Sequence, residues 1–341
     1  MRVSAVLWCA PILACLAFAH ACAPAAAQTP VKFALDWKFE GPAAPFLVTI
    51  DKGHFAAEGI EATIDPGNSS VESVARVASG NYDMGFGDIN TLIKLREQNP
   101  GNPVKAVFMV YNRPPFAIVT RKSRGIQGPK DLEGKTLGAP AIDAAFAQWP
   151  LFVQANGIDA SKVMVENVGF AVREPMLAAG QVDAITGFSF SAYVSLKDRG
   201  VPVDDLFMML MADYGLHLYG NAIIVNPKFA ADKPEAVRGF VRAFLRGLKV
   251  TIHDPAKAVE SVLRRNDLAK RDTELERLRM AIRDNILTAE VKENGYGAVD
   301  PKRLQASIDQ IGLTYKYKNK LQASDLFDAS YLPADGERRT H

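Results

Sequence analysis

The sequence predicts an α/β protein of two lobes, each a mostly parallel sheet with helices on both faces. Segments with strand-like patterns alternate with helix-like segments of about ten residues, which is typical of such sheets. The alternation runs to Tyr111, is interrupted by a polar stretch at 121–134, and then begins again. The 341 residues, of which 48% are hydrophobic and 23% charged, are enough for two domains with cores of their own.

The first lobe is expected to begin with residues 28–118. Its predicted strands are 31–36, 60–64, 82–86 and 104–111, where apolar residues alternate with polar ones or form β-prone runs. A polar turn at 38–45 precedes the first predicted helix, which runs from Pro45 to Lys52. Further helices are expected at 69–79 and 90–98, because Gly80 and Asn99-Pro100-Gly101 end them.

The second lobe is expected at 119–214. The stretch 121–134, with three glycines and one proline, is predicted to be a linker region. Strands are then expected at 135–139, 163–168 and 184–186, with helices at 144–156 and 175–179. The residues that follow, 215–341, are expected to return to the first lobe. They contain a predicted strand at 218–225 and predicted helices at 234–251, 255–264 and 273–287. Crossings near 118 and 215 would form a two-stranded hinge.

Residues 1–27 have the pattern of a secretory signal peptide, which predicts a periplasmic protein. Arg2 is their one charge, an apolar run extends from Val6 to Ala19, and Ala25-Ala26-Ala27 offers a cleavage site. All three cysteines of the chain, Cys9, Cys15 and Cys22, lie in this segment. The mature chain would therefore have no thiol for catalysis, metal binding or disulfides. Lipidation of Cys22 is the less favoured alternative, because His20 fits a lipobox poorly.

The charge balance and the motifs argue against several classes of function. The chain has 40 basic and 38 acidic residues, which gives no reason to expect nucleic acid as a partner. The four histidines after residue 27 are scattered without metal-binding or triad spacing, and no Gly-x-Ser-x-Gly motif is present. We therefore expect no catalytic residues, no metal and no cofactor, and a monomer that is not an enzyme.

Candidate ligand contacts follow from the predicted topology. Open α/β sheets bind ligands at the carboxyl ends of their strands, and two such edges facing each other form a cleft that closes on a small molecule. In the first lobe the candidates are Trp37, Glu40, Asn68, Ser69, Ser70, Asp88 and Asn90. In the second lobe they are Asp143, Phe146, Phe188, Ser189 and Tyr193. Near the crossings they are Tyr111, Asn112, Tyr219 and Asn221.

Each of these candidates has a competing structural interpretation. Core packing explains the aromatic residues nearly as well as ligand binding does, and Ser69, Asp88 and Asp143 stand where helix caps are expected. The charges of the candidates favour a neutral or amine-bearing ring over a sulfonate or nitrate, because buried carboxylates repel anions. Helix N-termini alone can hold an anion, so a sulfonate or nitrate ligand stays open as the alternative.

Several fragments, taken in order, resemble one protein family. They are Leu35-Asp-Trp37, Asp51-Lys-Gly-His-Phe55, Glu58-Gly-Ile60, Arg76-Val-Ala-Ser-Gly80, Tyr82-Asp-Met-Gly-Phe86, Asp131-Leu-Glu-Gly-Lys135 and Gly180-Gln-Val-Asp-Ala184. Over about residues 31–250 the sequence resembles the SsuA/THI5-like (NMT1) substrate-binding proteins of nitrate, sulfonate, taurine and thiamine-precursor ABC importers. The resemblance implies a type II periplasmic binding protein fold, a small-molecule ligand and an ABC permease in the inner membrane as partner.

The sequence departs from the thiamine-pyrimidine branch of this family. That branch typically carries a Pro-Asn pair and a histidine after the tryptophan of the first strand, where this chain has Phe39, Glu40 and Ala43. The family's eukaryotic enzymes depend on a cysteine-rich segment, which the predicted mature chain lacks. An enzyme that acts on a pyrimidine or a similar ring is the alternative to a binding protein, and the absence of cysteines from the predicted mature chain argues against it.

Overall fold

The computed structural model describes residues 27–340, in two five-stranded sheets with helices packed around them. The predicted signal peptide and its three cysteines lie outside the described residues, apart from Ala27. The strands are β1 (Thr29–Ala34), β2 (Ile60–Asp65), β3 (Met84–Asp88), β4 (Lys105–Met109), β5 (Phe116–Arg121), β6 (Thr136–Ala139), β7 (Met164–Asn167), β8 (Ala184–Phe188), β9 (Leu206–Leu210) and β10 (Asn221–Val225).

The two sheets have the same architecture. The first has the order β2-β1-β3-β10-β4, and the second has the order β7-β6-β8-β5-β9. In each sheet the fourth strand, β10 or β5, runs antiparallel to both of its neighbours, whereas the first three strands are mutually parallel. The carboxyl ends of the parallel strands therefore lie along one edge of each sheet.

Two segments connect the sheets, 110–115 and 211–220, and they pair with each other. The backbone N–H of Tyr111 donates to the carbonyl of Asn221 at 2.9 Å, and the N–H of Gly220 donates to the carbonyl of Tyr111 at 2.9 Å. The predicted arrangement of two α/β lobes joined by a two-stranded hinge is confirmed.

The first crossing lies earlier in the chain than predicted. Residue 118 is inside β5, which pairs with both β8 and β9, so the chain has already entered the second sheet there. The predicted linker at 121–134 instead forms short 3-10 turns between β5 and β6. Pro114 and Pro115 come just before β5, and they provide no N–H group for a strand ladder.

The helices follow the strands in chain order. They are α1 (Ala44–Asp51), α2 (His54–Ala57), α3 (Ser70–Ala78), α4 (Ile89–Gln98), α5 (Trp149–Asn156), α6 (Arg173–Ala179), α7 (Ser189–Asp198), α8 (Pro227–Asp232), α9 (Pro234–His253), α10 (Pro255–Ala258), α11 (Glu260–Leu263), α12 (Arg271–Ala281), α13 (Ala289–Asn294), α14 (Pro301–Tyr315), α15 (Ala323–Leu326) and α16 (Asp335–Arg338). Within residues 27–340 no helix combines the length and apolar character needed to cross a bilayer.

The C-terminal helices contact both sheet units, whereas residues 215–341 were expected to return to the first lobe. Helix α9 packs on α1, where Phe240 and Phe244 join Phe33 and Phe46 in the aromatic core of the first lobe. Helix α12 contacts both the turn before α1 and helix α7, and α14 packs between α4 and α5. The second-lobe helix α7 was itself not predicted.

Candidate ligand-binding site

A pocket lies between the carboxyl edges of the two sheets. The first sheet contributes the segments that follow β1 and β2, and the second contributes those that follow β6, β7 and β8. The lining residues are Asp36, Trp37, Lys38, Glu40, Pro42, Ala43, Ser69, Ser70, Tyr111, Asp143, Ala144, Phe170, Arg173, Phe188, Phe190 and Ser191. This position, between two facing sheets, and this mixed aromatic and polar lining are typical of small-molecule sites.

Aromatic rings form much of the wall. Trp37 of the first lobe meets Phe170 of the second edge to face, with ring centroids 5.1 Å apart. Phe190 contacts Phe188 and Tyr111 in the same manner, each at 5.9 Å. Such surfaces bind flat, weakly polar rings well, because stacking adds to the free energy of apolar burial.

Asp36 brings a carboxyl group to this wall at the end of β1. Its Oδ2 accepts a hydrogen bond from Nδ2 of Asn221 at 2.8 Å, and Asn221 is fully buried on β10. Burial raises the pKa of Asp36 to about 7, and the nearby Glu40 carboxylate adds to the rise. Burial, and then Asp36 itself, raise the pKa of Tyr111 well above its ordinary value. Asp36 therefore titrates near neutral pH.

The other two carboxyl groups of the lining face arginines. Nη1 of Arg173 lies 3.7 Å from Asp143, and Arg173 also binds Glu174 at 2.5 Å. Burial raises the pKa of Asp143, although the charge of Arg173 opposes the rise. Glu40 lies 3.7 Å from Nε of the buried Arg277.

Gly187 allows Arg173 to lie flat against β8. A Cβ atom at position 187 would stand 2.9 Å from the Cζ and Nη1 atoms of Arg173, which is closer than real Cβ contacts. The glycine therefore lets the guanidinium reach the cavity wall, where it also lies 5.5 Å from the Phe170 ring centroid.

The structure brings seven of the sixteen predicted residues together around the cavity. They are Trp37, Glu40, Ser69, Ser70, Tyr111, Asp143 and Phe188. Two of these also stabilise helix ends, as the competing interpretation held: Ser69 caps α3 by accepting from the N–H of Glu72, and Asp143 accepts from the N–H of Ala145.

Six further candidates lie outside the lining because local packing holds them elsewhere. Asp88 caps α4 through the N–H groups of Asn90 and Thr91, and burial raises its pKa to about 6. Asn90 donates to Asp88 and to the carbonyl of Tyr219. Ser189 is buried at the start of α7, Asn68 is exposed, and the half-buried Phe146 and Tyr193 are also absent from the lining.

The remaining three candidates belong to the hinge. Asn221 contacts Asp36 from behind the cavity wall. Asn112 and Tyr219 face the C-terminal helices instead, where both donate to Oε1 of Glu290, at 2.8 and 2.5 Å. Arg303 completes this cluster, 2.8 Å from Glu290 and 3.9 Å above the Tyr219 ring.

The sequence interpretation missed several lining residues. Asp36 stands beside Trp37 in the fragment Leu35-Asp-Trp37, so its place after β1 was a usable signal. Phe170 follows the exposed strand β7, and no local pattern marks it. Phe190 belongs to the helix that was not predicted. Within residues 27–340 no group of three or more His, Cys, Asp or Glu side chains is placed to hold a metal ion.

Comparison with known proteins identifies the family. The family described as "NMT1/THI5 like" matches residues 42–258, which is more than half of the chain. The chain belongs to the NMT1/THI5-like family. The predicted resemblance is thereby confirmed.

The relatives that match this chain include proteins named as binding proteins and proteins named as enzymes. The chain is 32% identical over 219 residues to the riboflavin-binding protein RibY of Chloroflexus aurantiacus, a match that covers 64% of this chain and 61% of RibY. It is 26% identical to the formylaminopyrimidine-binding protein of Halalkalibacterium halodurans, over 70% of this chain and 71% of that protein. It is 24% identical to the 4-amino-5-hydroxymethyl-2-methylpyrimidine phosphate synthase of Schizosaccharomyces pombe, over 68% of each chain.

Solved structures agree with the predicted fold class. The alkanesulfonate-binding protein SsuA from Xanthomonas axonopodis pv. citri, bound to MOPS, superposes with a TM-score of 0.68 at 14% identity. The superposition covers 89% of this chain and 99% of that protein. The type II periplasmic binding protein fold is confirmed, and at this identity the likeness carries no information about the ligand.

Proposed function

We propose that this protein is the periplasmic substrate-binding component of an ABC importer, and that it captures a flat, neutral or amine-bearing heterocycle. The observation that carries this proposal is the cavity between the two sheets, which combines aromatic walls with three carboxyl groups. A hinge of two paired segments allows such lobes to close on a small molecule. The ligand would then be delivered, chemically unchanged, to a permease in the inner membrane.

The named relatives support a ring ligand. RibY is a riboflavin-binding protein, and the second relative binds a formylaminopyrimidine. Both names refer to flat nitrogen heterocycles. Trp37, Phe170 and Phe188 offer the stacking surfaces that such rings require.

The charges of the cavity disfavour a sulfonate or nitrate ligand. Three carboxyl groups line it, and the two cations of the lining are Arg173, which already faces Asp143 and Glu174, and the exposed Lys38. An anion placed there would lie beside the carboxylates of Glu40 and Asp143, and the buried cation of the lining, Arg173, is already engaged by acidic groups. A ligand rich in N–H donors would instead complement the carboxyl groups.

The synthase relatives favour one second candidate, an enzyme that acts on a pyrimidine or a similar ring. Against it, the cavity lining contains no histidine, and residues 27–340 contain no cysteine. These are the side chains that most often act as bases or nucleophiles. The binding protein is the function that the site supports better.

Isothermal titration of the purified chain, residues 28–341, tests the proposal. The probes are riboflavin, an aminopyrimidine, an alkanesulfonate and nitrate. We expect a heterocycle to bind with a Kd in the range of roughly 1 nM to 1 µM, as sites of this kind allow, and the two anions to bind at least about 100-fold more weakly. Tight binding of the sulfonate or nitrate, with no binding of a heterocycle, would contradict the proposal.

A further inference from the structure

Asp36 differs from the other two carboxyl groups of the cavity in having no positive partner. Asp143 faces Arg173, and Glu40 faces Arg277. Among residues 27–340, no lysine, arginine or histidine forms a salt bridge with Asp36, and the one charged side chain named among the causes of its pKa shift is the carboxylate of Glu40. The one side chain that donates a hydrogen bond to it is the neutral amide of Asn221.

A partly buried carboxyl group without a cation either keeps its proton or, when ionised, is stabilised by hydrogen-bond donors from elsewhere. Withdrawal from water raises the pKa of Asp36 to about 7, and the backbone N–H groups of Asp36 and Trp37 offset only part of the rise. Because Asp36 lines the cavity next to Trp37, a ring stacked on the indole would present its edge to this carboxyl group. A hydrogen-bond donor on that edge would give the Asp36 carboxyl group the further partner that the protein does not provide.

We propose that Asp36 is the specificity-determining residue of the site, and that it selects heterocycles carrying an N–H donor on the ring edge. The donor is either a ring N–H flanked by carbonyl groups or an exocyclic amine. This inference rests on the proposed function and goes beyond it, since it assigns one residue to one feature of the ligand.

Asn221 holds the acceptor in place for this contact. Its Nδ2 engages Oδ2 of Asp36, while its buried Oδ1 has no hydrogen-bond partner. The amide therefore fixes one oxygen of the carboxyl group, while the carboxyl oxygens, each with two lone pairs, keep capacity to accept from a ligand. Asparagine at position 36 would keep the contact with Asn221 and could also donate to the unpartnered Oδ1, so Asp36→Asn is expected to fold.

The test compares matched ligands on wild type and Asp36→Asn by isothermal titration. The pairs are riboflavin with 3-methylriboflavin, and an aminopyrimidine with its dimethylamino analogue. We expect wild type to prefer the N–H member of the pair that it binds by about 30-fold or more, because methylation leaves the carboxylate unpaired. In Asp36→Asn this preference should fall below about fivefold.

The control is Asp83→Asn. The Asp83 carboxyl group lies at the opposite edge of the same sheet, where it accepts a hydrogen bond from the N–H of Lys32. This variant should keep the wild-type preference. If wild type binds a heterocycle but binds its N–H and N-methyl forms equally, the inference is overturned. It is also overturned if Asp36→Asn keeps the full wild-type preference. Failure of every heterocycle to bind wild type would instead overturn the proposed function.

Discussion

Replacement of Trp37 with alanine should weaken ligand binding substantially. Trp37 is half-buried at the end of β1, and its ring contacts Phe170 across the cleft at 5.1 Å. It is therefore positioned to cover a flat ligand while meeting the opposite lobe. The substitution removes both the stacking surface and the contact between the lobes.

The size of the effect follows from the area that a ligand would cover. A tryptophan side chain buries about 150–250 Å² when fully enclosed. If a ring ligand covers about 80 Å² of it, the loss at about 25 cal/mol per Å² is about 2 kcal/mol, or roughly 30-fold in Kd. Aromatic stacking on nucleobases gives similar values, about 1–3 kcal/mol. Trp37→Phe keeps a ring and should lose less than about fivefold.

Isothermal titration of the heterocycle found for wild type measures this effect, with far-UV circular dichroism to verify folding. The control is Tyr331→Ala, because Tyr331 stacks against Arg238 and is not among the residues that line the cavity. We expect this control to bind within about twofold of wild type. A Trp37→Ala variant that binds as tightly as wild type would refute the stacking assignment.

Three further predictions concern buried charges. Because the folded-state pKa of Asp36 is raised from 3.8 to about 7, its ionisation opposes folding, so Asp36 itself should contribute up to about 4 kcal/mol of added stability to the unliganded protein as pH falls from 8 towards 4. The difference in urea-unfolding free energy between wild type and Asp36→Asn should therefore change by up to this amount over that pH range, and parallel pH profiles of the two proteins would contradict the prediction. Gly187→Ala should push Arg173 off the wall, weaken ligand binding about fivefold and cost about 1–3 kcal/mol of stability; unchanged affinity by titration would count against a role for that guanidinium. Arg277→Gln should cost about 3–5 kcal/mol in urea unfolding, because it leaves Glu274 buried without its ion-pair partner; a loss below about 1 kcal/mol would show that the pair contributes little.

Local sequence patterns were sufficient to predict most strands and the residues at their carboxyl ends. Trp37, Ser69 and Asp143 all follow strands that alternation or apolar runs identified, and all three line the cavity. The rule that parallel strands present their carboxyl ends at one edge then places these residues together. Periodicity and topology rules, with the family resemblance supporting Trp37, therefore identified about half of the lining.

The rest of the site depends on contacts that no local pattern encodes. Phe170 reaches Trp37 only because the two lobes face each other, and Arg277 meets Glu40 only because α12 packs against both units. Conversely, Asp88 and Tyr219 stand near the correct strand ends, but a helix cap and Glu290 engage them. Sequence position shows which edge a residue occupies, whereas its partners depend on tertiary packing.

The central claim is that the cleft holds a flat heterocycle and releases it unaltered. Native mass spectrometry of the chain incubated with the heterocycle, followed by mass analysis of the small molecule after denaturation, tests this claim directly. We predict one ligand per chain, recovered with its mass unchanged after prolonged incubation. A ligand converted to a product of different mass, in amounts exceeding the protein, would contradict the claim.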